Sequence, residues 1–459
     1  MNEHQTQSLQ LPETFAKTIK RFFPELGNAI NSIDDPRMVN KTVYDLSVLV
    51  WMGIFCFFFK IGASRNLNYT IGYYSESHFL DNFKLLFSVL GIDSASINLE
   101  RMPDFQTLIY LMEKLDPEIL EEVIIKMLQN LLRKKVFESE RLLDTWYTLA
   151  IDGTQIVTFD EKHCEHCLKR KIGEDENGEK IYQYYHYMVS VSLVNPKGFC
   201  IPVLTEFVEN ETQEVSKQDC ELKAFYRLAP KLKAYFPRTQ ICLLLDGLFA
   251  CKSVMDICKK NHWKFITVFK EGSIPSLYKE YKALQSECSD NRGSHILDAH
   301  TRQDYVWVND LYYEGHTVSA IDCIETKPGK KGAVCTTIFT TITNIPIDEQ
   351  NFKNISKGGR CRWNQENQGF NTQKTGGYNL EHLYARDHLA YKNFISLLLI
   401  GFTISQLIEK GSLIQNIQKS FGSFKNFFRK MLNAFTEHLW NNDFIRCLDT
   451  RYQIRLDSS

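Results

Sequence analysis

Two short apolar runs, each closed by Asp-Gly, constrain this chain more than any other feature. Thr239–Leu248 reads Thr-Gln-Ile-Cys-Leu-Leu-Leu-Asp-Gly-Leu. The run is long enough for one strand and lacks polar alternation, so it predicts a strand buried on both faces, in the middle of a sheet covered by helices. Asp246 then stands at the strand's end. Leu149-Ala150-Ile151-Asp152-Gly153-Thr154 repeats the pattern, and the glycine after each acid lets backbone or a ligand approach closely. Taken singly, each Asp reads as a cap on the turn after its strand. Taken together, two acids on separate core strands point to a shared metal or proton-transfer site.

The elements between and after these runs fix how the two acids meet. Residues 148–270 read as strands Leu149–Thr158, Tyr184–Val194 and Phe199–Val208, the last two joined by the turn Asn195-Pro196-Lys197-Gly198. A helix over Asp219–Phe236 follows, with Leu222, Phe225, Tyr226, Ala229 and Leu232 on one face, and Pro237 ends it. The Asp246 strand, a helix at Lys252–Asn261 and a strand at Phe265–Phe269 complete the series. An antiparallel three-strand meander followed by alternating helices and strands resembles the ribonuclease-H-like order. The expected class is therefore α/β (α+β): a mixed five-stranded sheet flanked by helices, whose first and fourth strands lie side by side and bring Asp152 to Asp246.

The flanking segments read differently. Residues 1–140 are expected to form a helical domain and a candidate DNA-binding unit. In it Asp45 caps an apolar helix through Phe59 that stops at Gly62, and Ser77 opens the next helix, Phe79–Leu90. Asp104 and Asp116 open two further helices joined by a tight turn, ending near Leu115 and Lys135. Lys126, Arg133, Lys134 and Lys135 give the second a basic end, which suits a helix-turn-helix on DNA or, equally, a helix C-terminus satisfied by cations. Residues 271–347 read as a β insertion (Tyr305–Val308, Leu311–Ile321, Val334–Thr343, with a turn at Lys327-Pro328-Gly329-Lys330). Residues 348–410 return to the catalytic domain, with Lys353, Lys357, Arg360, Arg362 and Lys374 around one acid, Glu366. Residues 411–459 form a C-terminal helical segment.

Charge and cysteine usage narrow the classes. Lys plus Arg (54) balances Asp plus Glu (55), giving a net charge of −1, so any polyanion site must be a local patch. Thirteen cysteines, odd in number and scattered, with no signal-peptide pattern at the start, lead us to expect a reduced, cytoplasmic protein. The apolar stretch Leu46–Phe59 is too short to span a bilayer as a straight helix, and no membrane partner is expected.

Carboxylates without a histidine partner suit a hard cation such as Mg²⁺ (or Mn²⁺). Two such ions can activate an attacking oxygen and stabilise a leaving one at a phosphodiester, which requires roughly three acids. The segments Ile151-Asp152-Gly153-Thr154, Leu245-Asp246-Gly247-Leu248 and Arg362-Trp363-Asn364-Gln365-Glu366-Asn367-Gln368-Gly369-Phe370-Asn371, with Lys217-Gln218-Asp219-Cys220-Glu221 and Tyr378-Asn379-Leu380-Glu381-His382, resemble the DDE transposases of bacterial insertion sequences, in the branch with a β insertion between the second Asp and the Glu. The resemblance covers roughly residues 100–410. It implies Asp152, Asp246 and Glu366 as metal ligands, cleavage at transposon ends by water, and attack of the freed 3′-hydroxyl on target DNA. It also implies DNA as partner, a homo-oligomer of at least two chains on DNA, and a nucleoid-associated place in a bacterial cytoplasm. Arg362, four positions before Glu366, is expected on the same helix face, holding that carboxylate or a DNA phosphate. Arg360 and Lys374 join it as candidate DNA contacts. This chain departs from the family pattern at Gly359, Gln365 and Gln373, and Glu381 is the rival third acid. A transposase-derived DNA-binding protein without catalysis, and a scaffold whose acids are structural, are the alternative functions.

One motif stands apart. His163-Cys164-Glu165-His166-Cys167 is half of a structural zinc site. The meander would bring Cys164 and Cys167 to His186 and Cys220 as four ligands, with His163 or His166 as substitutes for His186. Unbridged thiols in a reducing compartment are the alternative.

Overall fold

The computed structural model describes residues 3–456 apart from 63, 73–77, 93–98, 211–217, 288–289, 330–332, 416–420, 441–443, 445, 447 and 449; Ser77, Lys217 and Lys330 lie outside the described residues. The protein is mixed α/β and divides into two compact units. One comprises Met1–Val136 with Phe370–Ser459, the other Phe137–Gly369.

The first unit is built of helices among its described residues. Leu46–Phe58 has no polar face, and all 13 of its residues are buried. Asp45 takes the N-cap position without a side-chain cap bond, whereas Asp104 and Asp116 accept from Gln106 N (2.8 Å) and Glu118 N (3.0 Å) as caps should. The 22-residue helix His388–Glu409 is long and apolar enough to cross a membrane, yet 89% of its most apolar window is buried inside the protein. It packs on Leu46–Phe58 at close quarters. A Cβ on Gly53 would stand 2.6 Å from Leu397 Cδ1, and one on Gly401 3.2 Å from Ile54 O. Asn393 ties it to the end of the helix Phe105–Met112, donating to Met112 O (2.9 Å) and Leu115 O (2.7 Å).

The second unit is organised on one ten-stranded open sheet. In chain order its strands are β1 Tyr147–Phe159, β2 Leu168–Glu174, β3 Lys180–Val194, β4 Cys200–Val208, β5 Ile241–Leu245, β6 Lys264–Val268, β7 Arg292–Asp298, β8 Thr301–Tyr313, β9 His316–Pro328 and β10 Val334–Thr343. Spatially they run β2-β3-β1-β5-β6-β10-β9-β8-β7, with β4 also paired to β3. β1 is antiparallel to β3, and β3 to β4; β1, β5 and β6 are mutually parallel neighbours. Helices Glu221–Tyr235 and Lys252–Asn261 connect β4 to β5 and β5 to β6.

Two expectations change here. The sheet has ten strands where five were expected, because β10 pairs with β6 (Thr341↔Val268) and carries β9, β8 and β7 of the β insertion onto the same sheet. One apolar core then runs from Ala150, Leu244 and Ile266 to Trp307, Ile321 and Phe352. The run Leu311–Ile321 is also not one strand. Glu314 and Gly315 adopt positive φ (45° and 90°) and fold it into the β8–β9 hairpin.

Candidate functional site

Asp152 and Asp246 meet where two parallel strands part. The last β1–β5 pair is Ala150↔Leu244, and each acid stands two positions beyond it, at the carboxyl ends of the parallel pair, where open α/β sheets form their ligand crevices. Asp152 lies inside its strand, within the span Leu149–Thr158 that the sequence predicts. β1 runs on to Phe159 because β3 continues to pair with it, Asp152 opposite Ser190.

Around Asp152 the charges are mixed. Arg362 Nη1 donates to its Oδ2 at 2.7 Å and Gly153 N to its Oδ1 at 3.0 Å. Burial nonetheless raises its pKa to about 6; Arg362 opposes the rise, and the like charges of Glu221 and Asp246 add to it. Glu221, the first residue of the helix Glu221–Tyr235, is the acid that sequence reasoning missed as a site residue. Its Oε1 accepts the Tyr187 hydroxyl, and a Cβ on Gly153 would lie 2.7 Å from that oxygen. Gly153 is therefore required by the close approach of β3 and this helix. Burial first, then the Glu221 contact, raises the Tyr187 pKa, which keeps the phenol a donor. Asp219 anchors the start of the helix, accepting from Arg227 Nη2 at 2.7 Å and from Glu209 N at 3.2 Å.

Glu366 and Arg362 do not share a helix face. Arg362 sits in a turn, 90% buried by its side chain and directed to Asp152, while Glu366 is exposed on a π-helical segment, Gln365–Phe370. Four positions return to the same face only at α-helical pitch, and the wider π turn breaks that relation. The carboxylates of Asp152, Asp246 and Glu366 do not form a group with all ligand atoms within 4.8 Å. Gln365 is buried and accepts from Cys200 Sγ (3.4 Å).

A cleft of about 470 Å³ opens beside Asp246. Arg362, Arg360, Lys270 and Lys282 line it with Phe339 and Trp363. Arg362 Nε, buried there, has no hydrogen-bond partner. Arg360 is committed elsewhere, paired with Glu325 at 2.6 Å and lying over the Phe339 ring. In the helical unit, Lys374 pairs with Glu381 at 2.9 Å, so the rival acid is a surface ion-pair partner. Lys126 is exposed midway along the helix Pro117–Arg133, and Arg133, Lys134 and Lys135 are exposed at its end. Lys126 reaches Glu122 at 3.6 Å, and Arg133 bonds Asn130.

The thiol motif converges in part. Cys164 Sγ lies 3.5 Å from Cys167 Sγ and 3.4 Å from His186 Nε2, and Cys167 Sγ lies 3.7 Å from that nitrogen. Cys220 stays outside this group. It is the N-cap residue of the helix anchored by Asp219. His166 does not replace His186, because its Nδ1 meets Asn210 O at 3.3 Å.

No protein-family model and no curated protein matches this chain. What the acidic mouth can do follows from its parts. It offers hard oxygen donors, an arginine able to hold an anion, and a cleft lined by both cations and aromatic rings.

Proposed function

We propose that the protein is a DDE-type transposase, a divalent-metal-dependent DNA nuclease and strand transferase built on a ribonuclease-H-like core. The fold reading is supported by the order β4-β3-β1-β5-β6, three antiparallel strands followed by two parallel to the first. One observation carries the function: Asp152 and Asp246 stand in register beyond the parallel pair, close enough for the Asp246 charge to weigh on Asp152, with Arg362 on Asp152. Like charges gathered in a half-buried mouth are costly to keep and suit a cation.

Asp152 and Asp246 would hold magnesium through hard oxygen donors, with Glu221 as the acid beside Asp152; Glu366 is the third ligand that the motif implies, although its carboxylate is not gathered with theirs. Bound there, magnesium supplies charge stabilisation at the phosphate and a more acidic attacking water. The chain's own groups do the rest. Arg362 orients the Asp152 carboxylate and offers its unpartnered Nε to a phosphate oxygen. Tyr187 fixes Glu221 by its hydroxyl. Lys270, with the exposed Trp363 ring, suits a nucleic-acid strand along the cleft, whereas Lys282 is held by Asp322. The exposed cations at 126 and 133–135 suit phosphate contacts that set register and carry no sequence preference.

The test is cleavage of DNA bearing the terminal repeats of the protein's own element, with Mg²⁺ or Mn²⁺ and without. Strand-specific nicking at the repeat ends that requires the metal supports the proposal. A metal-independent binder that leaves the ends intact refutes it. Among the third-acid variants, Glu366→Gln is expected to lose cleavage and Glu381→Gln to keep it.

A further inference from the structure

The most closed cluster of soft ligands in the sheet unit has no part in the acidic mouth. Cys164 and Cys167 lie in the connection from β1 to β2, and His186 projects from β3, 4% exposed, opposite Val157 of β1. Cys167 is buried as well and Cys164 half-buried. Three distances define the group: 3.5 Å between the sulfurs, and 3.4 and 3.7 Å from each sulfur to His186 Nε2.

We propose that Cys164 Sγ, Cys167 Sγ and His186 Nε2 are three ligands of a structural zinc ion. With Zn–S of about 2.3 Å and Zn–N of about 2.0–2.1 Å, a tetrahedron has S···S edges of about 3.8 Å and S···N edges of about 3.5 Å. The cluster matches those edges within a few tenths of an ångström. A disulfide does not, since bonded sulfurs lie about 2.05 Å apart. The fourth ligand comes from outside the trio. The His163 ring stands beside it, stacked on Phe159 with centroids 4.4 Å apart and perpendicular to His186 at 6.5 Å.

The shell around the cluster is already fastened. Asn210 Nδ2 donates to Cys167 O at 3.1 Å, and Gln218 brackets Lys169 through its N–H (2.7 Å) and carbonyl (2.9 Å). Zinc would therefore staple the start of the β2–β3 hairpin to β3, one residue before Tyr187. The site stands independently of the proposed catalysis, because zinc content and folding are read without any DNA.

The experiment is elemental analysis of the full chain purified without chelator under reducing conditions, followed by competition with a zinc indicator. One zinc per chain is expected. Cys164→Ser, Cys167→Ser and His186→Ala should each weaken binding by more than about 100-fold, since even outer-shell partners of a metal are worth 10–100-fold. Cys220→Ser should retain the full complement. Should a variant fail to fold, cobalt-substituted wild-type protein gives a second reading, with thiolate-to-metal charge transfer and tetrahedral visible bands. Substoichiometric zinc, zinc unaffected by the Cys164 and Cys167 substitutions, or a cobalt spectrum lacking thiolate charge transfer would overturn the proposal.

Discussion

Lys60 and Glu409 are buried as a balanced pair, whereas Asp152 is buried among its own kind. In the helical unit the two charges stand 3.5 Å apart, with side chains 6% and 17% exposed, and the ammonium lies over the rings of Tyr378 and Phe428. Burial pushes the Lys60 pKa down and the Glu409 pKa up, and each partner opposes the other's shift. In the sheet unit Asp152 has one arginine and two further acids, Glu221 and Asp246. A compensated pair is what a stable interior tolerates. An excess of one sign, kept half-buried at a strand-end mouth, is the pattern of a group held for chemistry.

If that contrast is correct, the two regions respond in opposite ways to neutralisation. The largest effect is expected on function: Asp152→Asn or Asp246→Asn lowers metal-dependent cleavage by about 10³-fold or more, the several kcal/mol that metal-held charge stabilisation supplies. Circular dichroism of both variants remains that of the wild type. Next is Lys60→Met, which strands a buried carboxylate and lowers unfolding free energy by about 3–5 kcal/mol in denaturant titrations. The double variant Lys60→Met/Glu409→Leu recovers most of that loss.

The third expectation has the reverse sign. The folded pKa of Asp152, about 6, lies above its unfolded value of 3.8. Its contribution to stability is thus full below the unfolded value and is lost as pH rises through about 6. In metal-free buffer the wild type should lose up to about 3 kcal/mol between pH 4 and pH 7 from this group. Asp152→Asn should lack that pH-dependent loss. Equal pH profiles for the two proteins would remove the contrast with Lys60.

Some of this was legible in the sequence and some was not, for reasons tied to distance along the chain. The β5 strand, the helix Lys252–Asn261 and the caps Asp104 and Asp116 are local: a few consecutive residues specify each. Asp152 beside Asp246 required only the order of elements. The Cys164–Cys167–His186 group was legible for the same reason, because the hairpin order brings the β1–β2 connection back to β3. Glu221 was not, since the signal lies in Gly153 and Tyr187, whose need for one another shows only after β1, β3 and the helix have packed. β2 was missed because its residues are mostly exposed and have no apolar alternation. The continuation of the sheet through β10 depends on a pairing with β6 about seventy positions earlier, for which Thr341 and Val268 carry no mark. The same-face reading of Arg362 and Glu366 assumed α-helical pitch, and the π turn at Gln365–Phe370 removed it.

The smallest effect is expected at the exposed cations. Replacing Lys126, Arg133, Lys134 and Lys135 with Ala should weaken DNA binding without changing sequence preference. The salt slope should fall by about one for every phosphate that these cations neutralise in the wild type, up to about four. An unchanged slope would give these residues a role at the helix terminus alone.

Central to the proposal is a divalent-metal site formed by Asp152 and Asp246 beyond the last β1–β5 pair. Mn²⁺ titration followed by electron paramagnetic resonance measures it directly, on full-length protein with any thiol-bound zinc left in place. The expected result is saturable Mn²⁺ binding that the Asp152→Asn/Asp246→Asn double variant weakens by about 100-fold or more, with Mg²⁺ competing in the wild type. Identical Mn²⁺ binding by wild type and double variant would contradict the account.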